Sequence, residues 1–461
     1  MKPGHGGKAA IGALTVLLFA ATAGWAVPNP VMMGVVDGVN GPSFAFTATS
    51  GHLSTPEGNS VLFWGLADGA SPVQYPSPTL IVTQGQLVTV EVTNMLPVPV
   101  SFVFPGHAVT ATALAEPTQA GILTLEAGAA VGASPGGTVR YQFTATEPGT
   151  YLYHSGTRPD LQVEMGLVGA IIVRPAGFDQ MMDMDRRAYA TMDSMYDEEY
   201  LFLLTEMDPL IHRLVERGLI DQVDTTAFFP TYWFINGRAA PDTMFEPYVG
   251  WLPNQPYNSM PMMEPGQKLL MRVVNGGRDL HPFHQHGNHA RVIARDGRVL
   301  DTGDLAVPGD VDLSYEVFTF QAVPGQTMDG IFTWTGAGMG WDIYGHPSSD
   351  PLTLQPNEDP ADHGKPFPVL LPEKQDLTFG GFWSGSPYLG SMAALPPGEG
   401  GLNPASGFVY MWHSHTEKEM VNNDVFPGGM MTMLVIVPPG MLGAMAAPDV
   451  PMGINPFFGG Q

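Results

Sequence analysis

The sequence contains no cysteine among its 461 residues. Disulfide bonds, thiolate zinc sites, iron–sulfur clusters, thiol nucleophiles and cysteine-ligated copper all need a sulfur that this chain lacks. These classes of site are therefore excluded. Any metal ion has to be bound by histidine, carboxylate or methionine side chains.

Basic residues are also scarce, and so is charge in general. There are 19 Lys and Arg against 44 Asp and Glu, a formal net charge of −25, and only 14% of residues are charged. Nucleic acid and anionic membranes need a basic face, so neither is expected as a partner. The 56 glycines, 44 prolines and 44% apolar residues favour strands and loops around a substantial core, which predicts an all-β fold.

Long hydrophobic runs are limited to the amino terminus. An apolar run from Ala9 to Ala23 follows two lysines and precedes small residues. This layout is typical of a secretory signal peptide at 1–26, cleaved after Ala23 or Ala26. No later stretch reaches the roughly 18–20 apolar residues of a membrane span. We therefore expect no transmembrane segment and export to the periplasm, the cell surface or the extracellular space.

The sequence repeats itself internally. Three pairs of segments align: 85–94 with 266–275, at an offset of 181, then 151–156 with 410–415, and 166–173 with 429–436. In the first segment, Val88, Val90 and Val92 alternate with polar residues, the pattern of a half-buried strand. The chain is therefore predicted to contain two copies of one β domain.

The repeat sets the expected domain boundaries. We place the first domain at 30–176, a polar linker at 177–199, the second domain at 200–440 and a carboxyl-terminal tail at 441–461. The second copy is longer, mostly within 337–405. That segment is rich in Gly, Pro and Ser, so it is interpreted as a long surface insertion.

Histidines are clustered in the second copy. Two groups stand out: His281, His284, His286 and His289 within nine residues, and the pair His413 and His415. Residues i and i+2 of a strand share a face, so each His-x-His presents two imidazoles to one cavity. Neutral imidazole is the commonest metal ligand and suits copper or zinc. One isolated histidine would be read as a hydrogen-bonded strand-end residue, but two such pairs favour a metal site.

At these residues the sequence resembles the copper motifs of the multicopper oxidase family. Other similar segments are 203–209, 234–238 and 324–327, and the resemblance covers nearly the whole mature chain outside 337–405. The resemblance implies two cupredoxin-like Greek-key β-sandwich domains, with a long loop insertion in the second, and copper as cofactor.

In the family, four His-x-His motifs hold a three-copper cluster that reduces dioxygen to water. Here the 181 offset places Val103 and Pro105 where the third motif has His284 and His286, so the first motif has no ligand. The second motif keeps only one histidine, with Gly156 in the other position. Five of eight cluster positions survive, and the resemblance implies fewer copper ions than in the family, or none. The implied ligands are His154, His284, His286, His413 and His415.

At the electron-entry site, this sequence departs further from the pattern of the family. Its mononuclear blue copper uses a first histidine, which His281 matches, a cysteine, and a later histidine. Ser414 occupies the cysteine position and Glu419 the later position. Because a serine hydroxyl cannot supply the thiolate bond, we expect blue-copper electron transfer to be lost. His281 remains a sixth candidate ligand.

Three functions stay open at this level. The first is an exported copper-binding protein whose oxidase activity is reduced or lost. The second is an active oxidase of metal ions or phenols whose site is completed by oligomerisation. The third is a non-catalytic structural or assembly protein that uses 337–405 for interaction. Two-domain members of the family often complete copper sites between subunits, so the resemblance implies a trimer-like homo-oligomer that brings His154 of one chain to the histidines of another. No catalytic residue is assigned.

Overall fold

The structure is a computed structural model that describes part of the chain. The described residues are 35–178, 186–302, 311, 313–334, 342, 346, 348–351, 359–365, 378–379, 382–383, 408–437 and 442. The expected signal peptide, most of the 337–405 insertion and nearly all of the tail lie outside them. Those three predictions therefore stay predictions.

The first half of the described chain is built from strands. In order these are β1 Val39–Asn40, β2 Ser43–Ser54, β3 Ser60–Asp68, β4 Leu80–Thr83, β5 Leu87–Asn94, β6 Phe102–Val103, β7 Thr110–Ala115, β8 Thr118–Ala120, β9 Leu125–Ala127, β10 Thr138–Thr144, β11 Gly149–Ser155 and β12 Val168–Arg174, with helix α1 Pro159–Gln162. One sheet has the order β1-β4-β12-β11-β6 and the other β3-β2-β5-β10-β7, while β8 and β9 form a separate ribbon.

The second half repeats this plan. Its strands are β13 Glu198–Met207, β14 Tyr232–Ile235, β15 Met262–Met263, β16 Lys268–Asn275, β17 His281–Gln285, β18 Ala290–Arg295, β19 Arg298–Val299, β20 Tyr315–Val317, β21 Thr319–Ala322, β22 Thr327–Thr333, β23 Thr378–Phe379, β24 Phe382–Trp383, β25 Phe408–Ser414 and β26 Met431–Ile436, with helix α2 Pro209–Glu216. The main sheets have the orders β14-β13-β16-β22-β18-β19, with β20 on β18, and β15-β26-β25-β17-β21.

The pairing of the strands confirms the all-β sandwich fold and the internal repeat. Parallel β2 and β5 correspond to parallel β13 and β16, and antiparallel β11 and β12 correspond to β25 and β26. Val88, Val90 and Val92 of β5 are buried between the two sheets of the first half, as the alternation predicted. Burying each such side chain contributes about 1.5–3 kcal/mol.

The inner sheets of the two halves also pack on each other. Every residue of β12 is buried, because the strand has apolar neighbours on both faces. Ile171 and Val173 belong to the core of the first sandwich, whereas Ala170 and Ile172 pack with Leu203 of the second half. The alternation of a strand's side chains thus supplies one face to the domain core and one to the contact between the halves.

Buried charges lie at that contact. Arg272 Nε donates to Glu199 Oε1 at 2.6 Å, and Arg174 Nη1 donates to the same oxygen at 2.5 Å. Arg272 also donates to Thr150 Oγ1 at 2.7 Å, and Thr150 Oγ1 donates to Asp329 Oδ1 at 2.6 Å. All these side chains are buried. The two halves are therefore joined by charges that neutralise each other out of contact with water.

The segment between the halves is anchored where it is described. Tyr189 and Tyr196 are buried, and Glu198 and Glu199, the last residues of the predicted linker, already belong to β13. Tyr189 Oη donates to Asp329 Oδ2 at 2.5 Å. The boundaries at 176 and 200 remain a prediction. Each of the four main sheets draws its strands either from residues up to 174 or from residue 198 onward.

Across the described ranges, none of the helices has both the length and the apolar character needed to cross a bilayer.

Candidate metal centre

Four histidines meet at the ends of β17 and β25. These strands pair antiparallel with His284 opposite His413, and His286 and His415 follow directly after the strand ends. Ring centroids lie 4.7 Å apart for His284 and His286, 5.1 Å for His284 and His415, and 5.3 Å for His286 and His413. We call His284, His286, His413 and His415 the four-histidine cluster.

Strand alternation puts these rings on one face. In β17, Phe283 and Gln285 are buried while His284 between them is part-buried. Trp412 is fully buried, and its Nε1 donates to the His286 carbonyl oxygen at 2.9 Å, which holds the end of β17 against β25. The chain then turns at Gly287 with φ 107°, a conformation that strongly favours glycine.

The shortest contact in the cluster joins two imidazole nitrogens. His286 Nε2 lies 3.2 Å from His413 Nε2. The ligand nitrogens of His284, His286 and His413 lie within 4.8 Å of one another. Two nitrogens that bind one tetrahedral metal ion at 2.0–2.1 Å are about 3.3 Å apart. The donor set and this spacing therefore fit a metal ion such as copper or zinc.

A backbone contact determines which nitrogen of His413 carries the proton. Its Nδ1 lies 2.7 Å from the Ser414 carbonyl oxygen, an acceptor, so Nδ1 carries the proton and Nε2 has the free electron pair. Burial lowers the pKa of His413 to about 4; the hydrogen bond to Ser414 opposes this lowering, and the charges of the neighbouring imidazoles add to it. His413 is therefore neutral at pH 7, the form that binds metals.

His284 is oriented from the other side. Its Nδ1 contacts Thr319 Oγ1 at 2.8 Å, and Thr319 lies opposite His284 on β21. Burial lowers the pKa of His284, as does the charge of His415, and a hydrogen bond involving Phe318 opposes this only in part. A neutral ring held by a hydroxyl group through one nitrogen presents its other nitrogen as a potential ligand.

His281 has a different environment. Its Nε2 contacts Glu206 Oε2 at 2.8 Å and its Nδ1 contacts Glu419 Oε2 at 2.9 Å, with all three side chains buried. Burial alone would lower the pKa of His281, but the hydrogen bonds and charges of the two glutamates raise it to about 9. At pH 7 it is a protonated imidazolium between two carboxylates. Whether it ligates a metal stays a prediction.

The serine in the cysteine position is the last residue of β25. Ser414 is buried and stands opposite Phe283 in β17, and its hydroxyl oxygen accepts from the Thr416 N–H at 3.2 Å. Glu419 reaches His281 from the turn that follows. Of the residues in the expected cysteine and late-histidine positions, Glu419 contacts the expected first ligand, and neither residue offers a soft donor.

In the first half of the chain, the position equivalent to the His413 and His415 pair has one histidine instead of two. His154 on β11 lies opposite Val103 on β6, as His413 lies opposite His284. Its Nδ1 contacts the Ser155 carbonyl oxygen at 2.9 Å, the same contact that His413 makes with Ser414. Burial lowers the pKa of His154, a backbone hydrogen bond opposing this. In the described residues no contact joins His154 to the four-histidine cluster.

Sequence reasoning missed several polar neighbours. The sequence places Glu206 within the 203–209 segment but gives no sign of its contact with His281, which spans 75 residues of sequence. Thr319 carried no signal at all. A further group, Asp342, His346 and His363, lies in the described part of the insertion. No spacing pattern ties these three residues together, so only the folded chain reveals them.

One segment of the chain is similar in sequence to known proteins. Residues 70–177 match the family model "Multicopper oxidase". The iron transport multicopper oxidase fetC of Epichloe festucae (strain E2368) is 35% identical over 72 residues, 16% of this chain and 11% of that protein. The multicopper oxidase VdtB of Byssochlamys spectabilis is 31% identical over 139 residues, 29% of this chain and 19% of that protein. The matched parts thus span less than a fifth of either relative.

Solved structures extend the similarity to most of the chain. The blue copper oxidase of Nitrosomonas europaea superposes with a TM-score of 0.50 over 85% of each chain, at 17% sequence identity, a likeness of fold. The family match ends before the four-histidine cluster, whereas the fold continues through it. Residues 70–177 thus match a multicopper oxidase family model, and most of the chain has the cupredoxin-type fold.

Proposed function

We propose that this protein binds copper through the four-histidine cluster and has lost the blue-copper site through which electrons would enter. The observation that carries the proposal is the 3.2 Å separation of His286 Nε2 and His413 Nε2, with His284 alongside. Imidazole nitrogens at this spacing suit one copper ion. The number of ions is smaller than in the family, because Val103 and Gly156 offer no ligand.

Residues beside the cluster orient its histidines. The Ser414 carbonyl oxygen holds the proton on His413 Nδ1, and Thr319 orients His284. Copper bound here would supply one-electron redox chemistry. With Ser414 in the cysteine position, the chain lacks the thiolate that would couple a second copper ion to the cluster. Oxidase turnover is therefore expected to be weak or absent.

Metal analysis of the purified mature protein tests the binding proposal. After incubation with Cu²⁺ and exhaustive dialysis, elemental analysis should find at least one copper ion per chain. Oxygen uptake with Fe²⁺, Mn²⁺ or a phenolic dye should remain near the buffer rate. A dialysed protein without copper contradicts the binding proposal, and rapid oxygen uptake contradicts the loss of activity.

Restoring the missing ligands should restore the lost site. The double substitution Ser414→Cys with Glu419→His would place a thiolate and a second imidazole beside His281, the donor set of a trigonal blue-copper site. Glu206 would hold Nε2 of His281 and leave Nδ1 for the metal. We expect the copper-loaded variant to acquire an intense blue absorption, measured by visible spectroscopy, that the unmodified protein lacks.

The repeat provides a matched control for this variant. Ser155→Cys places a thiol next to His154 at the equivalent buried position, where Val100 stands in place of His281. It should stay colourless with copper. Equal colour in both variants, or none in the double variant despite bound copper, would show that the electron-entry site is assigned wrongly.

We further propose that the protein assembles into a trimer-like homo-oligomer in which His154 of one chain approaches the four-histidine cluster of another. The support is that His154 is neutral by burial and keeps the backbone contact seen at His413. Light scattering should give about three times the chain mass. His154→Ala should lower copper retention, whereas the exposed His52→Ala should not. A monomer with full copper content contradicts this arrangement.

We also propose that the protein is exported after cleavage behind Ala23 or Ala26. The support is the amino-terminal layout of two lysines, an apolar run and small residues. Mass spectrometry of protein recovered outside the cytoplasm should place the new amino terminus at Gly24 or Val27. Recovery of the exported protein with Met1 intact would contradict it.

A further inference from the structure

A second group of metal-binding side chains lies outside the four-histidine cluster. Asp342, His346 and His363 belong to the described part of the insertion and share no residue with the cluster. Their side chains are 0%, 21% and 11% exposed. These three ionisable side chains are therefore largely removed from water, which is costly unless they interact with one another or with a metal ion.

The three side chains converge on one carboxylate oxygen. Asp342 Oδ2 lies 3.0 Å from His346 Nδ1 and 3.7 Å from His363 Nδ1. The two imidazole rings have centroids 5.0 Å apart. Ligand atoms around one metal ion at 2.0–2.2 Å are separated by about 3–4 Å, so the group has the spacing of a coordination shell.

The backbone holds this arrangement in place. The Asp342 N–H donates to the Lys365 carbonyl oxygen at 2.9 Å, and the Gly364 N–H donates to Asp342 Oδ2 at 2.8 Å. Gly364 has φ 69°, and a Cβ atom there would lie 2.6 Å from Ser348 Cα. Glycine therefore allows the close turn that orients the carboxylate.

His363 is oriented in the way expected of a ligand. Its Nε2 lies 3.2 Å from the Asp350 carbonyl oxygen, which can only accept, so Nε2 carries a proton. Nδ1 is the ring nitrogen that faces Asp342 Oδ2, at 3.7 Å. A ring nitrogen and a carboxylate oxygen at this separation fit neighbouring positions around one cation. Metal-binding histidines commonly donate their other N–H to a carbonyl oxygen in this way.

We propose that Asp342, His346 and His363 form a separate binding site for a divalent ion of the zinc class. Two imidazoles and one carboxylate are a donor set that Zn²⁺ accepts, and three protein ligands leave a fourth position open. The site would tie together the two ends of the segment from 342 to 365. It does not depend on copper binding at the four-histidine cluster.

Zinc stoichiometry in matched variants of the full chain tests the site. After Zn²⁺ loading and dialysis, His346→Gln with His363→Gln should lose one equivalent of zinc per chain relative to the unmodified protein. His286→Ala with His413→Ala removes ligands from the other cluster and should leave this equivalent in place. The exposed His52→Gln serves as the control and should lose none.

Two further readouts keep the proposal falsifiable if a variant is unstable. In the His286→Ala and His413→Ala background, Co²⁺ should give the visible absorption of a low-symmetry site, and Zn²⁺ should abolish it. Zn²⁺ should also raise the thermal midpoint of that background. Equal zinc content with and without His346 and His363, or no Co²⁺ absorption in that background, would show that these residues form a hydrogen-bonded group only.

Discussion

Replacing His286 and His413 together by alanine is expected to remove at least one equivalent of copper per chain. These residues supply the two nitrogens that lie 3.2 Å apart, and their replacement leaves only the imidazoles of His284 and His415 in the cluster. A single ion held by one or two imidazoles dissociates far more readily than one held by three or four. Elemental analysis after copper loading and dialysis measures the loss.

The control is His52→Ala, which removes an exposed histidine paired with Glu216 outside the cluster. It should retain the full copper content. Circular dichroism of the double variant should match that of the unmodified protein, because its side chains lie at strand ends. Undiminished copper in the double variant would place the ions elsewhere and contradict the assignment.

Replacing Glu199 by alanine is expected to lower the free energy of unfolding by about 3–5 kcal/mol. Glu199 accepts from Arg174 and Arg272, and these three side chains are 0–4% exposed. Without the carboxylate, two guanidinium groups remain buried with insufficient negative charge. The loss should appear as a lower denaturation midpoint in urea.

An exposed ion pair gives the matched comparison. Glu91 pairs with Arg140 at 2.7 Å, but these side chains are 33–38% exposed. Glu91→Ala should change stability by about 0–1 kcal/mol, because water screens the pair. Equal destabilisation by the two variants would show that the charges between the halves are not a principal source of stability.

The same glutamate should make the free energy of unfolding depend on pH in the acidic range. Burial alone would raise the pKa of Glu199, but Arg174 and Arg272 lower it to about 2. Since the folded-state pKa lies below that of the unfolded chain, the contribution is present above about pH 4.5 and is lost as the pH falls through 2. The stability difference between the protein and Glu199→Gln, about 3 kcal/mol at pH 7, should therefore shrink between pH 4.5 and 2 in urea titrations. A stability difference that does not change with pH would contradict the lowering of the Glu199 pKa by Arg174 and Arg272.

The features that the sequence predicts well are local and periodic. The alternation at Val88, Val90 and Val92 fixes one face of β5 because strand side chains alternate. The offset of 181 also correctly pairs positions across strands: His284 faces His413 as Val103 faces His154. His-x-His spacing brings rings to one face whatever the rest of the fold does. These features need only strand geometry.

The features that escape prediction depend on contacts between distant segments. Glu206 reaches His281 only because β13 and β17 belong to facing sheets of one sandwich. The sequence predicts Glu199 as the last residue of a polar linker, yet it lies in β13 and is neutralised by Arg174 and Arg272. Charge in a sequence suggests exposure, and only the packed structure shows that opposite charges meet in the interior.

Anomalous diffraction at the copper edge, from crystals of the copper-loaded protein, tests the central claim most directly. The account predicts a peak within bonding distance of His286 Nε2 and His413 Nε2, and none beside His281, Ser414 or Glu419. A peak beside Ser414, or no peak at the four-histidine cluster, would contradict the proposal that the protein binds copper at this cluster and has lost the blue-copper site.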